Sequence, residues 1–549
     1  MIFENTFDVS VAKINLIYKI MSSPFRTKEE FWKNFDLSVV IPFYKKMREF
    51  RRVFPLNHKY FQRNGIEVVI VLDTPLEQDE LIEFVKDYPF VNWRIVLNDK
   101  PHEWRNPAKP LNVGIRHATK KYVMVCSPES EMLTDVIGIL RKTFEDYSDF
   151  PHYAIGRVCF VNDEVVTQDN FDVFRPIPFG SIMVEKKYLE QIHGYDETFS
   201  KWGGDDNNLR ARLDMLGIGE LYVNEAMMVH REDGDRVKPR QDTPFEKTPN
   251  DVMRHYFFPD TAVVNGDNWG CDFENVIYDW RHNCFSKELL LRYLKNKDFV
   301  RYEIFSDLKF PCPLLLLVQS YNEHERIVHF LEKASPLFDG IILLDDESGD
   351  GTYDIALDKK LLFKVQKKRR EFNDLENRNL LMDLSSFVDF ELAVFLDVDE
   401  EFDSRFCDLH SYLTDKDTNT YFVPYIHLWN SEDTYNAEYP SSVGGICLRC
   451  KMFRNMGHAE IFSDRGKLHF HQVPAMGRTR IADNLLIKHY GLISLECRNT
   501  KYDFYKKEDT EHSQCSYEHF KSDPVLKKVR DLTSGELYKL SNNFKRSCL

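Results

Sequence analysis

Two clusters of carboxylates follow apolar, strand-length runs of this chain. Glu129 and Glu131 come directly after the apolar run 122–126, and Asp397 and Asp399 come directly after a second such run. The carboxyl ends of buried strands are where open α/β sheets bind their ligands, and hard cations such as Mg²⁺ and Mn²⁺ bind oxygen donors. The two clusters are therefore candidate sites for a metal ion and its ligand.

The segment from Lys201 to Gly217 combines a glycine-rich turn with a pair of aspartates. It reads Lys-Trp-Gly-Gly-Asp-Asp-Asn-Asn-Leu-Arg-Ala-Arg-Leu-Asp-Met-Leu-Gly. The glycines favour an open turn, Asp205 or Asp206 is predicted to cap a helix, and Gly217 is predicted to end it. One face of that helix would carry Leu209, Leu213 and Leu216. Capping explains only one of the two aspartates, so the second carboxylate points to chemistry.

The elements around the two carboxylate clusters follow the same order in both halves of the chain. Apolar runs alternate with helix-like stretches, which is the pattern of βαβ units with a largely parallel sheet. The predicted strands are 38–42, 67–72, 94–97 and 122–126, and then 314–318, 341–344, 363–366 and 392–396. The predicted helices are 78–87, 111–119, 324–334 and 374–385. The expected fold class is α/β, with two tandem Rossmann-like, mostly parallel domains.

The length of the chain supports a division into two domains. A chain of 549 residues is too long for one ordinary hydrophobic core. We expect an N-terminal domain over residues 1–300, closed by a helical connector around 286–296. A C-terminal domain over residues 301–549 would end in a helical tail.

Charge and composition restrict the partners of the protein. With 88 acidic against 73 basic side chains the net charge is −15, so a broad nucleic-acid-binding face is not expected. No wholly apolar run is longer than that at 314–318, which is far shorter than the roughly 20 residues of a membrane span. We therefore expect no transmembrane segment and a cytoplasmic protein. Eleven cysteines without regular spacing favour reduced thiols over a disulfide framework.

Several motifs together resemble those of the GT-A glycosyltransferases of family 2 and the related galactosyltransferase-like C-terminal segment. In residues 35–235 the resemblance rests on the Trp-Gly-Gly-Asp-Asp motif and on the acidic motif after the fourth strand. In the second half, four motifs follow the order of the family: Gln319-Ser-Tyr-Asn-Glu323, Leu344-Asp-Asp-Glu-Ser-Gly-Asp-Gly-Thr352, Glu376-Asn-Arg-Asn379 and Leu396-Asp-Val-Asp-Glu400. The resemblance implies two GT-A domains.

For the N-terminal domain, the resemblance implies a donor site with a divalent metal, Mn²⁺ or Mg²⁺. The implied metal ligands are Glu129, Glu131 and His230. Ser127 stands where the family has its first carboxylate. Asp206 would be the general base of an inverting transfer, and Asp205 an acidic neighbour that contacts the acceptor. The residues implied in nucleotide-sugar binding are Pro42, Phe43, Asp73, Lys109, Asn112 and Trp202.

For the C-terminal domain, the resemblance implies that Asp397 and Asp399 hold the metal and the diphosphate. The histidines that could complete this metal site are His469, His471 and His489. Because no second Trp-Gly-Gly-Asp-Asp motif occurs, Glu400 is the predicted base. The residues implied in nucleotide-sugar binding are Gln319, Asn322, Glu323, Asp346 and Arg378.

The leading hypothesis is a bifunctional, metal-dependent glycosyltransferase of polysaccharide or capsule biosynthesis. Each domain would form one linkage from a nucleotide-sugar donor, such as a UDP-sugar, on a glycan or lipid-linked glycan acceptor. Peripheral association with a membrane assembly machinery would then be expected. Alternatively, only one domain is catalytic and the other binds acceptor or is structural.

Two more distant functions would also use strand-ending acids or many aromatic residues. A sugar nucleotidyltransferase normally has a glycine-rich phosphate loop after its first strand, and neither first strand here is followed by one. A carbohydrate-binding protein would explain the many Trp and Tyr residues but would not require two matched acidic clusters.

Overall fold

A computed structural model describes residues 34–547 of the chain, except 179–180, 202, 232–257, 298, 441, 456, 462–469, 471, 475–477 and 510–516. Within these residues the chain forms two compact units. The N-terminal unit covers Asn34–Cys284, and the C-terminal unit begins at Phe285.

The N-terminal unit alternates strands and helices over its first half. Its strands are β1 Leu37–Phe43, β2 Ile66–Leu72, β3 Trp93–Leu97, β4 Tyr122–Cys126, β5 Ser130–Met132, β6 His152–Val161, β7 Ser181–Glu185, β8 Gly219–Arg231 and β9 Asn275–Asp279. Its helices are α1 Met47–Phe61, α2 Gln78–Val85, α3 Ala108–His117, α4 Val136–Asp146, α5 Lys186–Gln191, α6 Asp205–Met215 and α7 Trp280–Asn283. Short 3₁₀ turns lie at Pro75–Glu77 and Phe171–Phe174.

The described strands of the N-terminal unit form one mixed sheet. The strand order is β5-β8-β6-β7-β4-β1-β2-β3-β9. The four strands β4, β1, β2 and β3 are parallel, whereas β7 and β9 pair antiparallel with the outer two of them. The antiparallel additions extend the parallel sheet on both sides.

The centre of this sheet is buried on both faces. Val39 and Ile41 belong to a hydrophobic cluster with Phe50 of α1, and Val40 belongs to another cluster with Leu111 of α3. Successive side chains of a strand point to opposite faces, so β1 contributes to two cores at once. Each fully buried aliphatic side chain contributes about 1.5–3 kcal/mol. This burial explains why the strand is apolar almost throughout rather than alternating.

The C-terminal unit repeats the same arrangement and adds further strands. Its strands are β10 Phe299–Ile304, β11 Leu314–Ser320, β12 Gly340–Asp345, β13 Leu361–Lys367, β14 Leu392–Asp397, β15 Glu400–Cys407, β16 Thr420–Trp429, β17 Ser431–Asn436, β18 Ile446–Arg454, β19 Thr479–Ile481, β20 Leu485–His489 and β21 Leu526–Lys528. Its helices are α8 Lys287–Lys295, α9 Ile327–Ala334, α10 Thr352–Ile355, α11 Asp374–Ser385, α12 Leu495–Glu508 and α13 Ser534–Ser547. Short 3₁₀ turns lie at Ser335–Leu337, His410–Thr414, Glu518–Lys521 and Val529–Asp531.

The sheet of the C-terminal unit has the same parallel centre. Its main path is β10-β13-β12-β11-β14-β18-β16-β17-β21, with β13, β12, β11 and β14 parallel. The strands β15 and β20 pair with each other at the side of this path. In both units the first parallel strand lies between the second and the fourth.

All eight predicted strands are present, and the predicted α/β fold class with two tandem Rossmann-like sheets is confirmed. The two sheets are mixed rather than mostly parallel, because antiparallel strands extend each parallel centre. The predicted connector helix is α8. None of the described helices has the length and apolarity needed to cross a membrane.

The chain divides between Cys284 and Phe285, before the predicted division at residue 300. That residue lies inside β10, which pairs antiparallel with β13. Tyr293 of α8 donates a hydrogen bond of 2.6 Å to Asp383 of α11. Both the connector helix and the strand after it therefore pack with the C-terminal unit.

Candidate active site

The parallel strand order places a crevice at the same point in both units. In the N-terminal sheet β1 lies between β2 and β4, so the strand order reverses at β1. In the C-terminal sheet β11 lies in the same way between β12 and β14. Ligands of open α/β sheets bind outside the carboxyl ends of the strands at such a reversal. The predicted acidic clusters follow β4 and β14, so both lie at this edge.

Glu129 lies at the carboxyl edge of the N-terminal sheet, between β4 and β5, and is 6% exposed. Its Oε1 atom is 2.7 Å from Nζ of Lys46 and 3.5 Å from Nε2 of His230. Burial raises the pKa of this carboxyl, but the positive charges of His230 and Lys46 outweigh burial, and the net effect lowers the pKa. Glu129 is therefore an ionised carboxylate with a lysine as counter-ion.

Glu131 does not share the partners of Glu129. It lies on β5, and its Oε2 atom accepts a hydrogen bond of 2.7 Å from Nε of Arg231. The prediction that Glu131 is a second oxygen donor to the same cation does not fit this ion pair.

Asp73 follows β2 and is held by a network of donors. Arg105 donates to both carboxylate oxygens, at 2.9 Å and 2.7 Å, and Asn98 donates to Oδ1 at 2.9 Å. Arg105 also donates to Asp272 at 2.8 Å. This buried carboxylate with its arginine lies at the carboxyl edge, where a nucleoside-binding acid was predicted.

Phe43 does not line that pocket. It is 1% exposed and packs edge-to-face on Phe50 with ring centroids 5.3 Å apart, so it belongs to the core. Pro42 is partly exposed beside it.

The two predicted contacts from the α3 region have structural partners. Asn112 is fully buried, and its amide donates to Glu197 at 2.9 Å and to the carbonyl of Tyr195 at 2.8 Å. It therefore holds the segment between α5 and α6, and the predicted contact with the nucleotide-sugar does not fit these bonds. Lys109 lies 3.7 Å from Asp272 and remains 40% exposed. Trp202 lies outside the described residues.

The aspartate pair opens α6 but does not cap it. Gly204 is the N-cap residue with φ of 97°, and no side chain caps the helix, so the capping prediction is wrong. The predicted end at Gly217 is confirmed by its φ of 73°, whereas Leu216 is 39% exposed and leaves the predicted apolar face. Both aspartates are therefore available for another role.

The environment of the pair favours protonation. Burial and the charge of Asp206 raise the pKa of Asp205 to about 7, although Asn106 donates a hydrogen bond to it. Tyr195 donates to Oδ1 of Asp206 at 3.4 Å, and Asn106 also donates to the carbonyl of Lys201 at 2.8 Å. Asn106 directly follows Arg105, so the aspartate pair and the Asp73 network share one loop.

In the C-terminal unit, Asp397 at the end of β14 is paired with Arg378 of α11. The guanidinium also lies 3.3 Å from Asp374, and Gln472 donates to Asp397 at 3.4 Å. Burial raises the pKa of Asp397, but the charges of Arg378 and Lys451 outweigh burial and lower it. Arg378 therefore lies beside the Asp397–Asp399 motif. Its guanidinium is paired with Asp397, whereas the resemblance implied that it binds the nucleotide-sugar.

Asp399 forms a compact group with a histidine and a lysine. Its Oδ2 atom is 2.9 Å from Nζ of Lys501 and 3.2 Å from Nε2 of His489. Lys501 Nζ and His489 Nε2 are 3.1 Å apart, and His489 Nδ1 is 2.8 Å from Nδ1 of His427. His489 was one of three predicted candidates; His469 and His471 lie outside the described residues.

Glu400 does not fit the predicted role of general base. Both of its carboxylate oxygens are bonded to Lys451, at 2.7 Å and 2.6 Å. Tyr425 donates to one oxygen at 2.9 Å, and the backbone N–H of Asp397 donates to the other at 3.0 Å. A carboxylate held in this way positions the Asp397 turn and has no oxygen left for an acceptor hydroxyl.

Glu323 has the electrostatic properties that Glu400 lacks. It follows β11 and is partly exposed. Burial and the neighbouring charge of Asp399 raise its pKa to about 7, despite the cations Arg326 and Lys501. Near Glu323, Gln319 of β11 lies opposite Asp397 of β14 in the strand pairing. Asn322 accepts a hydrogen bond of 2.9 Å from the backbone N–H of Gly349. These predicted donor-binding residues therefore lie around the Asp397 edge.

Asp346 is the counterpart of Asp73. Asp73 N–H donates to the last carbonyl of β1, and Asp346 N–H donates to the last carbonyl of β11, at 2.8 Å and 2.9 Å. Asp346 is 1% exposed and pairs with Arg369 at 2.5 Å. Each unit thus places a buried acid with an arginine at the same point of its sheet.

The donor groups at the two edges do not fit a ready-made metal centre. Within the described ranges, no three His, Cys, Asp or Glu side chains are grouped so that they could hold an ion. At each edge one carboxylate lies beside an imidazole, Glu129 by His230 and Asp399 by His489. Asp397 lies near Asp399 but is paired with Arg378. Mg²⁺ can be held by one or two carboxylates together with water and substrate phosphates, but a lysine already contacts both Glu129 and Asp399. Metal dependence stays a prediction from the sequence.

Sequence reasoning missed the cations of both sites. Lys46 stands in the motif Pro-Phe-Tyr-Lys-Lys after β1, but either lysine could be solvated. Lys451 and Lys501 lie far from their acids in sequence, on β18 and on α12. Only the pairing of these elements with the parallel centre reveals the contacts.

Comparison with known families matches one segment of the N-terminal unit. Residues 176–230 match a family model described as the N-terminal domain of galactosyltransferase. The segment runs from before β7 to His230 and contains the aspartate pair. No curated protein matches the chain.

Solved structures of glycosyltransferases are similar to parts of the chain. The catalytic domain of Drosophila β1,4-galactosyltransferase 7 in complex with xylobiose is 15% identical over 41% of this chain and 82% of its own, with a TM-score of 0.27. S. aureus TarS 1–349 in complex with UDP-GlcNAc is 14% identical over 36% of this chain and 59% of its own, with a TM-score of 0.27. GalNAc-T7 with UDP, GalNAc and Mn²⁺ is 14% identical over 40% of this chain and 47% of its own, with a TM-score of 0.31.

Proposed function

We propose that this protein is a glycosyltransferase with two donor sites, one in each unit, that use nucleotide-sugar donors. The observation that carries the proposal is the Asp205–Asp206 pair, which opens a helix after two glycines within the segment matching the galactosyltransferase model. Burial raises the pKa of both aspartates, which supports the proposal because a general base works best when its pKa is near the operating pH.

In the N-terminal unit, the acceptor hydroxyl gives its proton to the aspartate pair. Asp206 is the more exposed of the two and takes the proton, as the resemblance implies, while Asp205 tunes its basicity. The oxygen of the acceptor then bonds to the anomeric carbon, and the bond from that carbon to the nucleoside diphosphate breaks. Asp73, fixed by Arg105, holds the nucleoside at the same edge.

In the C-terminal unit, Asp346 with Arg369 holds the nucleoside in the same way. Glu323 replaces Glu400 as the base, because its pKa is about 7 and both oxygens of Glu400 are bonded to Lys451. The acceptor is a glycan or a lipid-linked glycan, and the two units form successive linkages. Peripheral association with a membrane assembly machinery belongs to the same proposal.

The test is transfer and hydrolysis with a panel of UDP-, GDP-, CMP- and dTDP-sugars, each with Mn²⁺, with Mg²⁺ and with EDTA. The variants are Asp206→Asn and Asp399→Asn. Matched controls are Asp169→Asn in the N-terminal unit and Asp531→Asn in the C-terminal unit, both at exposed positions.

Loss of two different donor activities, one for each site variant, is the expected result. A single activity lost in only one variant would instead show that the other unit binds acceptor or is structural. Release of inorganic pyrophosphate from a sugar phosphate and a nucleoside triphosphate would replace the proposal with a nucleotidyltransferase. Absence of turnover and of donor binding in every condition would refute it.

A further inference from the structure

We propose that a lysine ammonium, Lys46 in the N-terminal unit and Lys501 in the C-terminal unit, is the resident cation of each site and stands in for a divalent metal. The two units reach this arrangement with the same local geometry. Glu129 directly precedes the residue that pairs with His230 across the sheet, and Asp399 directly precedes the residue that pairs with His489. Lys46 contacts Glu129, and Lys501 contacts Asp399.

In the N-terminal unit, the contact is short and largely shielded from water. Lys46 Nζ is 2.7 Å from Glu129, and the two side chains are 14% and 8% exposed. Lys46 is the residue before α1, and Glu77 accepts a hydrogen bond of 3.0 Å from its backbone N–H. The lysine is therefore fixed at its backbone and at its charged end, unlike a surface lysine.

In the C-terminal unit, the ammonium also engages the imidazole. Nζ of Lys501 lies 3.1 Å from Nε2 of His489, and the same imidazole nitrogen lies 3.2 Å from Oδ2 of Asp399. Nδ1 of His489 is 2.8 Å from Nδ1 of His427. The lysine therefore lies against the nitrogen that would face a metal ion held by Asp399.

Gly491 makes room for this lysine. A Cβ at that position would overlap Nζ of Lys501, Oδ2 of Asp399 and Nε2 of His489. The backbone thus approaches the group more closely than any residue with a side chain would allow. The absence of a side chain at Gly491 thus leaves space for both the lysine and the histidine.

The charges explain why a metal would be disfavoured. A divalent ion bound to Asp399 or Glu129 would lie within a few ångströms of an ammonium, and like charges at that distance repel strongly where water is excluded. The lysines come from unrelated elements, α12 in one unit and the turn before α1 in the other. The same cation therefore lies at the same place in both units although different elements supply it.

The function of this cation rests on the proposed function. During transfer, negative charge develops on the leaving diphosphate, and a fixed cation at the carboxyl edge stabilises it without reorganisation. Lys46 and Lys501 would supply that charge, and their acids would hold them in position. Donor binding should then not require a divalent ion.

The first experiment measures the affinity of the full-length chain for Mn²⁺, without nucleotide, by electron paramagnetic resonance. The variants are Lys46→Met and Lys501→Met, with Lys59→Met on α1 and Lys507→Met on α12 as controls at exposed positions. Each site variant should bind Mn²⁺ roughly tenfold or more tightly than the parent chain. The controls should match the parent. Equal Mn²⁺ affinity of parent and site variants would overturn the proposal.

The second experiment needs no variant, so misfolding cannot obscure it. UDP binding to the parent chain is measured by calorimetry with EDTA and with Mn²⁺. Similar affinity in both conditions is expected, and binding at least tenfold tighter with Mn²⁺ would overturn the lysine proposal. Absence of UDP binding in both would refute the nucleotide-sugar function instead, and the Mn²⁺ titration would then decide the lysine proposal alone.

Discussion

At the scale of single residues, the aspartate pair of α6 shows how neighbours change the chemistry of a side chain. Asp205 and Asp206 are adjacent in the first turn of the helix, where the helix dipole favours their ionised forms. Burial and mutual repulsion oppose the dipole and prevail at Asp205, whose pKa rises to about 7. The protonation state of Asp205 therefore changes near neutral pH.

The pH dependence of transfer by the N-terminal unit should report this pair. Because Asp206 must be ionised to act as the base, the rate should rise with pH as Asp206, whose pKa burial raises, loses its proton. Asp205 has a pKa of about 7, raised by burial and by the charge of Asp206, so Asp205→Asn should remove a titration step near pH 7 from the profile. A profile of kcat/KM against pH for parent and variant measures the difference. Identical profiles would show that the titration of Asp205 does not affect transfer.

Asp205 should also lower the stability of the folded protein at high pH. The folded state holds the proton of Asp205 more tightly than the unfolded chain, where an aspartate has a pKa of about 3.9. Stability therefore falls as pH rises from about 4 to about 7. Asp205→Asn should raise Tm above that range and leave it unchanged below about pH 4. Thermal unfolding followed across pH tests this, and a variant less stable at high pH would contradict it.

At the scale of elements, the turn before α6 depends on two glycines with positive φ. Gly203 has φ of 88° and no heavy atom within 4 Å of an added Cβ. A substitution there adds backbone strain without a clash. The position of the aspartate pair therefore rests on backbone conformation and not on packing around this glycine.

Gly203→Ala should destabilise the protein by about 1–2 kcal/mol, the cost of a left-handed conformation for a residue with a side chain. Urea denaturation measures the change. Gly349→Ala is the matched control, since it also has open space around the added Cβ but no positive φ. Equal effects of both substitutions would show that the strain argument is wrong.

At the scale of the whole molecule, the duplication of the sheet duplicates the acids that we propose to bind the donor. Asp73 and Asp346 make the same backbone hydrogen bond to the end of the first parallel strand, and each is paired with an arginine. If the proposed function is correct, these two buried acids in separate units predict two nucleotide sites for each chain.

Calorimetric titration with UDP should therefore give two sites per chain. Asp73→Asn and Asp346→Asn should each remove one site and leave the other unchanged, since each acid belongs to a separate unit. A stoichiometry of one in the parent would support the alternative that only one unit binds donor.

The sequence alone determined the parallel centre of each sheet and the position of its acids. Burial on both faces makes strands such as β1 and β11 continuously apolar, and acids that follow such strands must lie at the carboxyl edge. For this reason the eight strands were predictable, and so was the location of the acids after β2, β4, β12 and β14.

Only the tertiary structure decided which groups those acids meet. Glu129 meets Lys46, Asp399 meets Lys501, and Glu400 is bonded to Lys451. These contacts depend on how α12, β18 and the turn before α1 pack against the parallel strands, and no local pattern encodes that packing. Whether an acid acts as a base, binds a cation or holds a turn depends on its partners in space.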